Sequence, residues 1–238
     1  MIDFYYWPTP NGWKVSILLE ELALEYNTIP VEIGAGDQFK SEFLAISPNA
    51  KMPAIVDHST VTPTTVFESG AILYYLAEKQ QRFIPDTAIG KKEALEWLFW
   101  QTGNQGPMGG QLSHFVNYAP DGEDYSRARY LGEYQRNLAV LERRLTDRDY
   151  ILGQNYSIAD IISFPWVLIA KPLSASLDEF PRVSEWRGKI KDRPAVRRGV
   201  DLLKNQQNRG EHNAQNNKTL FNQSAEHFKV TKSNTDSD

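Results

Sequence analysis

The stretch Lys51-Met-Pro-Ala-Ile-Val-Asp57, followed by Thr64-Thr-Val-Phe67 and Glu68-Ser-Gly-Ala-Ile-Leu73, decides the fold. Residues 51–57 read as a strand, with Pro53 near its start, where a missing N–H is tolerated. A polar turn, His58–Pro63, leads to a second short strand, Thr64–Phe67, a spacing that favours a hairpin. Ser69 then opens a helical pattern with Ala71, Ile72, Tyr75 and Leu76 on one face. Working back towards the N-terminus, residues 2–6 (Ile-Asp-Phe-Tyr-Tyr) are β-prone. From Gly12 the period changes, and Val15, Leu18, Leu19 and Leu22 line one face of an amphipathic helix. Asn27–Ile33 reads as another strand, which Pro30 assigns to a sheet edge. A polar loop, Gly34–Phe39, and a short helical piece, Ser41–Ile46, lead back to Lys51.

Two parallel strands joined through a helix make a right-handed βαβ unit. The hairpin and its helix complete the order βαβ-ββα. This predicts an α/β domain of thioredoxin-like fold over residues 1–84.

The pattern then becomes helical. Lys91–Met108 carries Leu95, Trp97, Leu98, Phe99 and Trp100, and a helix apolar on all sides is expected to be central. Gly103, Gly106, Pro107, Gly109 and Gly110 predict a kink or break within it. Tyr125–Leu145 is a second long helix. Ser157-Ile-Ala-Asp160 resembles a capping box, with Asp in place of Glu, ahead of an apolar run, Ile161–Ile169, expected to be buried. Val183–Lys191 and Pro194–Leu203 are shorter helices, Pro194 suiting a first helical position. Residues 85–204 therefore read as an all-helical domain. Residues 205–238 are rich in Asn, Gln, Lys and Ser and predict a poorly packed polar tail.

Composition narrows the function. The 238 residues are 41% hydrophobic and 24% charged, with a net charge of −4, which is ordinary for a globular protein. Lys and Arg are dispersed, so nucleic acid is not the expected partner. No apolar run approaches a membrane span. The N-terminal residues show no charged n-region, so a cytoplasmic setting is expected. There is no cysteine. A disulfide framework, a thiolate metal site and a protein thiol nucleophile are thereby excluded, and the sulfur of any thiol chemistry must arrive with a ligand. His58, His114, His212 and His227 show no ligand-like spacing, and no metal is expected.

Three loops carry candidate chemistry. In a thioredoxin-like fold Pro53 is expected to be cis, turning the backbone of Met52 outward to pair with an extended peptide. Glu68 and Ser69 stand where a strand ends and a helix begins. Ser69 is either a plain N-cap or, with the helix N–H groups, a carboxylate site, with Glu68 taking a neighbouring ammonium. In Trp7-Pro-Thr-Pro-Asn-Gly12, Thr9 reads as a turn residue and Asn11 as an N-cap, but both can donate to a thiolate and lower its pKa. One pKa unit corresponds to about 1.4 kcal/mol. One or two charge-assisted bonds of about 1.5–3 kcal/mol each are enough for a useful effect.

Together these motifs resemble the glutathione transferase family. The resemblance covers nearly all of residues 1–204 and rests on Lys51–Val56, Phe67–Leu73 and Tyr156–Asp160, in that order. Pro8–Gly12, Gly36–Phe39 and Phe43–Asn49 look like the bacterial nu class and its fungal relatives, including the transferase-like domain of the yeast nitrogen regulator. The resemblance implies glutathione, reduced or oxidised, as co-substrate, and a homodimer. It implies a glutathione-dependent disulfide oxidoreductase with some peroxidase or transferase activity. A conventional transferase acting on electrophiles and a non-enzymatic glutathione-binding regulator are the alternatives. By motif match, Asn11 and Thr9 contact the sulfurs, Gln38 the glycyl end, Met52 (with Pro53) the peptide backbone, and Glu68 and Ser69 the γ-glutamyl group. Arg129, in Arg127-Ala-Arg-Tyr130, matches a basic residue that reaches glutathione, although helix register alone does not separate it from Arg127.

Overall fold

The computed structural model describes residues 1–209, 214–221 and 223–228. The N-terminal part contains β1 (Ile2–Tyr6), α1 (Pro10–Leu22), β2 (Tyr26–Pro30), α2 (Ser41–Leu44), β3 (Ala54–Asp57), β4 (Thr64–Phe67) and α3 (Ser69–Gln80). The sheet order is β2-β1-β3-β4. β1 and β2 are parallel, and the other two pairs are antiparallel. This is the expected thioredoxin-like arrangement, with Pro30 ending an edge strand.

The helical part contains α4 (Ala88–Trp100), α5 (Gly106–Asn117), α6 (Asp124–Arg144), α7 (Ile158–Leu168), α8 (Pro181–Lys191), α9 (Pro194–Asp201) and α10 (Ala214–Phe221). The anticipated break between α4 and α5 is a π-helical segment, Gln101–Gln105, so the chain widens by a residue per turn and continues. The capping box of α7 is formed. Ser157 Oγ accepts from Ala159 N, and Asp160 accepts from Ser157 N at 3.0 Å. Asp160 also accepts from Ile151 N at 2.8 Å and Trp186 Nε1 at 2.9 Å, tying α7 to α8 and the preceding loop.

Three expectations need correction. α1 is buried on nearly every side, from Gly12 to Leu19, because it lies between the sheet and the helical domain. On its far side Ser16 Oγ donates to Gly199 O of α9 at 2.7 Å. α3 buries Ser69, Ile72, Leu73, Leu76 and Ala77, while Ala71 is exposed. α4 is not central: only Ala94 and Leu98 are buried, and Ile89 and Phe99 stand 77% and 71% exposed.

Part of the expected polar tail also packs. Phe221 lies 4.6 Å from the His114 ring and 4.9 Å from that of Tyr118, centroid to centroid. Gln223 accepts from Lys51 Nζ at 2.7 Å, and His227 packs at a tilt against Phe39, 4.4 Å between centroids. A few aromatic contacts thus hold this segment despite its polar composition. The rest of the tail expectation, at 210–213, 222 and 229–238, lies outside the described residues.

Candidate active site

A cavity of about 610 Å³ opens where the β1–α1 loop, the β2–α2 loop, the start of β3 and the start of α3 face the π-helical segment, α5 and α7. Its lining includes Thr9, Asn11, Gln38, Met52, Pro53, Glu68 and Ser69, with Leu220 and Phe221 of α10 at one side. Seven of the eight residues singled out from the sequence therefore share one cavity. Arg129 lies outside this lining within its own chain. It is on the outer face of α6, ion-paired with Glu133 at 2.7 Å, and Arg127 is likewise turned to Asp124 and Phe115 O.

Local chemistry sets each side chain. Thr9, not Asn11, is the N-cap of α1: its backbone is extended and its Oγ1 accepts from Gly12 N at 3.3 Å. Pro10 decides this, because proline is favoured at the first helical position and so makes the preceding residue the cap. The Thr9 hydroxyl donates to Met52 Sδ at 3.9 Å, linking the first loop to the third. Gly12 is required, since a Cβ there would sit 2.3 Å from Trp7 O.

Asn11 lies inside the first turn of α1, with its Oδ1 accepting from Trp166 Nε1 of α7 at 3.2 Å. With the amide oxygen engaged, the two N–H donors are the part of Asn11 left for the cavity. α5 closes over Trp166 at Gly109, where a Cβ would meet the indole at 2.6 Å. Tyr5 and Tyr6 are not at the site. Tyr5 packs on Phe43, and Tyr6 is buried in the core, its hydroxyl bonded to Leu202 O at 3.2 Å.

The Met52–Pro53 bond is cis. Glu68, not Ser69, is the cap residue of α3, and its φ of 68° is a conformation L residues rarely adopt. Such backbone costs about 1–3 kcal/mol and gathers at ligand-binding positions. Asn49 Nδ2 reaches Glu68 Oε1 at 3.5 Å. Ser69 is the first helical residue and is buried, so its hydroxyl and the first N–H groups of α3 stand together at the cavity floor. Gln38 is buried with Nε2 donating to Ile33 O at 3.1 Å, and its Oε1 has no partner among the described residues.

Sequence reasoning missed Lys14, Gln101, Trp166, His114 and Tyr118, all at or beside this cavity. Lys14 offered a signal, being a charge within the run Trp13–Leu19. Trp166 offered a fainter one, as a polar handle in an apolar helix. Among the described residues, no group of three or more His, Asp or Glu side chains comes together to hold a metal, and no helix is long and apolar enough to cross a membrane.

The sequence matches the glutathione S-transferase N-terminal domain over residues 1–78 and the C-terminal domain of the same family over residues 113–194. It is 48% identical over 209 residues to the disulfide-bond oxidoreductase YfcG of Escherichia coli K12, covering 87% of this chain and 96% of that one. A glutathione transferase from Burkholderia graminis, with two glutathione molecules bound per subunit, superposes with a TM-score of 0.80 at 45% identity, over 85% of this chain and 88% of its own. One from Pseudomonas putida, with one glutathione disulfide per subunit, gives 0.79 at 38% identity, over 85% and 91%. The sheet, the helical domain and these similarities agree, and the chain belongs to the glutathione S-transferase family.

Proposed function

We propose that the protein is a glutathione-dependent disulfide oxidoreductase of glutathione transferase type, in the nu-class and fungal-relative subgroup. The observation that carries this reading is Asn11 in the cavity lining, its amide oxygen taken by Trp166 and its donors left over, in a protein without a single cysteine. The relatives with this architecture carry glutathione or its disulfide, and the first loop holds amide and hydroxyl donors.

In the reaction, one glutathione is held as thiolate by Asn11, with Thr9 beside it. Its γ-glutamyl carboxylate lies on Ser69 and the α3 N-terminus, its ammonium on Glu68, its backbone along Met52-Pro53, and its glycyl end near Gln38. The thiolate attacks one sulfur of a substrate disulfide. A new S–S bond forms, the old one breaks, and one substrate thiolate leaves and takes a proton. A second glutathione thiolate attacks the glutathione sulfur of the mixed disulfide, releasing the other substrate thiol. Two glutathiones are oxidised to one disulfide, and one substrate disulfide is reduced to two thiols. Peroxidase or transferase activity would use the same thiolate.

A homodimer goes with this reading, supported by the exposed apolar face of α4 at Ile89 and Phe99. In it, Arg129 would serve a site that it does not reach in its own chain. We also set the domain boundaries at 84/85 and 204/205. A cytoplasmic setting fits a need for reduced glutathione.

The test compares turnover of hydroxyethyl disulfide and an aryl halide, each with glutathione, on the same preparation. Disulfide reduction well above the aryl halide rate is the expected result. The reverse order would make the protein a conventional transferase. Glutathione binding with neither activity would make it a binding protein.

A further inference from the structure

Lys14 is a buried cation that the proposed reaction leaves unused. It is 2% exposed, at the floor of the cavity between α1 and α3. Its Nζ donates to Gln101 Oε1 at 2.7 Å and to Ser69 Oγ at 3.4 Å, both neutral groups. Among the described residues no carboxylate forms an ion pair with it, and Glu68 acts on it only through its field. A buried charge without a counter-ion is costly, so an arrangement that keeps one is built for a ligand or a partner charge.

The π-helical segment supplies a second observation. It presents Gln101 fully buried, with Oε1 accepting from Lys14 and Nε2 lacking a partner among the described residues. The amide is thus oriented for the lysine, and such local widening of a helix recurs at functional positions. A serine hydroxyl has a single proton to give. An ammonium donating to a lone pair of Ser69 Oγ turns that proton away from itself and into the cavity.

We propose that Lys14, aimed by Gln101, is a positioning residue for an anionic ligand group: it sets Ser69 as a donor and supplies the counter-charge for a carboxylate bound there. The inference rests on the glutathione reading, in which that carboxylate is the γ-glutamyl α-carboxylate. A neutral Lys14 would instead accept the Ser69 proton, leaving only lone pairs to face the carboxylate.

Burial pushes Lys14 down to about 7, with Glu68 opposing. A bound carboxylate favours the ammonium and moves this value up again. Binding is therefore strongest below the free-state value and weakens as pH rises through it. α3 and its cap residue bring Ser69 and Glu68 to the ammonium, and the π-helical segment brings Gln101. The charged groups of the other elements around α1 are engaged elsewhere: Asp3 with His58, Asp160 with Ile151, Ser157 and Trp186, and on α9 Arg197 with Asp192, Arg198 with Glu20 and Asp201 with Lys204.

The test is calorimetric binding of S-methylglutathione, whose thiol is blocked, between about pH 6 and pH 8.5, below the range of its amino group. An analogue with 4-aminobutyryl in place of γ-glutamyl lacks the α-carboxylate and serves as the control. Wild-type affinity for S-methylglutathione should fall about tenfold across that range, as it does when the bound carboxylate raises the Lys14 pKa by about one. Lys14→Met should bind it at least about tenfold more weakly at the acid end, lose the pH dependence, and bind the control as wild type does, about 1.4 kcal/mol being the corresponding difference. Gln101→Leu should show the same pattern more mildly and serves if Lys14→Met does not fold. Equal affinity and an equal pH profile in wild type and variant would overturn the inference, as would an equal loss for both ligands. Wild type that binds neither ligand would overturn the glutathione reading itself.

Discussion

Asn11→Ala is the most informative single change. Asn11 lines the cavity and holds its Oδ1 on Trp166 Nε1 at 3.2 Å, which leaves its N–H donors for a ligand. In the proposed mechanism, removing the side chain deletes one charge-assisted bond to the thiolate, about 1.5–3 kcal/mol. That predicts a fall in glutathione-dependent disulfide reduction of about 10- to 150-fold. The same energy appears in the thiol: the pH at which the rate rises should move up by about one to two. A stability effect is expected too. Trp166 Nε1 loses its acceptor in a largely buried position, at a cost of about 1–3 kcal/mol, equivalent to a few degrees of melting temperature for a chain of this size. Trp166→Phe separates the two effects. It keeps an aromatic ring, smaller than the indole, and removes the N–H, so the amide can turn and the rate should fall by less than in Asn11→Ala. The double variant should be no slower than Asn11→Ala alone, because both act through one contact. Steady-state reduction of hydroxyethyl disulfide between about pH 6 and pH 9 is the assay, with thermal melting alongside. A variant with an unchanged rate and an unmoved pH profile would remove Asn11 from the mechanism.

Two further changes test the frame of the site. Asp160→Asn should lower stability by about 2–4 kcal/mol, read in urea unfolding, because one amide oxygen cannot replace two carboxylate oxygens that accept from Ile151, Trp186 and Ser157; an unchanged midpoint would refute the role of this cap. Lys14→Met should raise the melting temperature at neutral pH, since a buried charge gives way to an apolar chain of similar length. Burial holds Lys14 at about 7, against an ordinary value of 10.5. Between these values the unfolded chain binds the extra proton, so wild-type stability rises with pH there and its Lys14 share is lost below about pH 7. Melting curves across that window should show the rise in wild type and a flatter profile in the variant.

The sheet and its helices were legible because local signals agreed. A run of β-prone residues marked β1, and Pro53 and Glu68-Ser69 punctuated the hairpin and α3. The capping box at Ser157–Asp160 was legible for the same reason. Where two signals competed, the reading failed by a residue or two. Thr9 and Asn11 both suit a cap by residue type, and the backbone chose Thr9; Ser69 suits one too, but the helix already includes it, so the cap falls on Glu68, whose side chain makes no capping bond. Long-range partners were not legible. Nothing local says that α1 is covered on both sides, that Lys14 meets Gln101 from 87 positions away, or that Phe221 returns to His114. A lysine in a helix ordinarily leads its head to water along an apolar stem, and this default hid Lys14. The apolar residues of α4 announced burial, but among the described residues nothing covers Ile89 and Phe99, and a burial signal in the sequence does not say which surface answers it.

A crystal structure with oxidised glutathione tests the proposed mechanism most directly. The mechanism predicts the disulfide in the cavity between the first loop, α3 and α7, one sulfur within hydrogen-bonding reach of Asn11 Nδ2, and a γ-glutamyl carboxylate on Ser69 Oγ. A ligand bound elsewhere, or one whose sulfurs lie away from Asn11 while another side chain meets them, would contradict it.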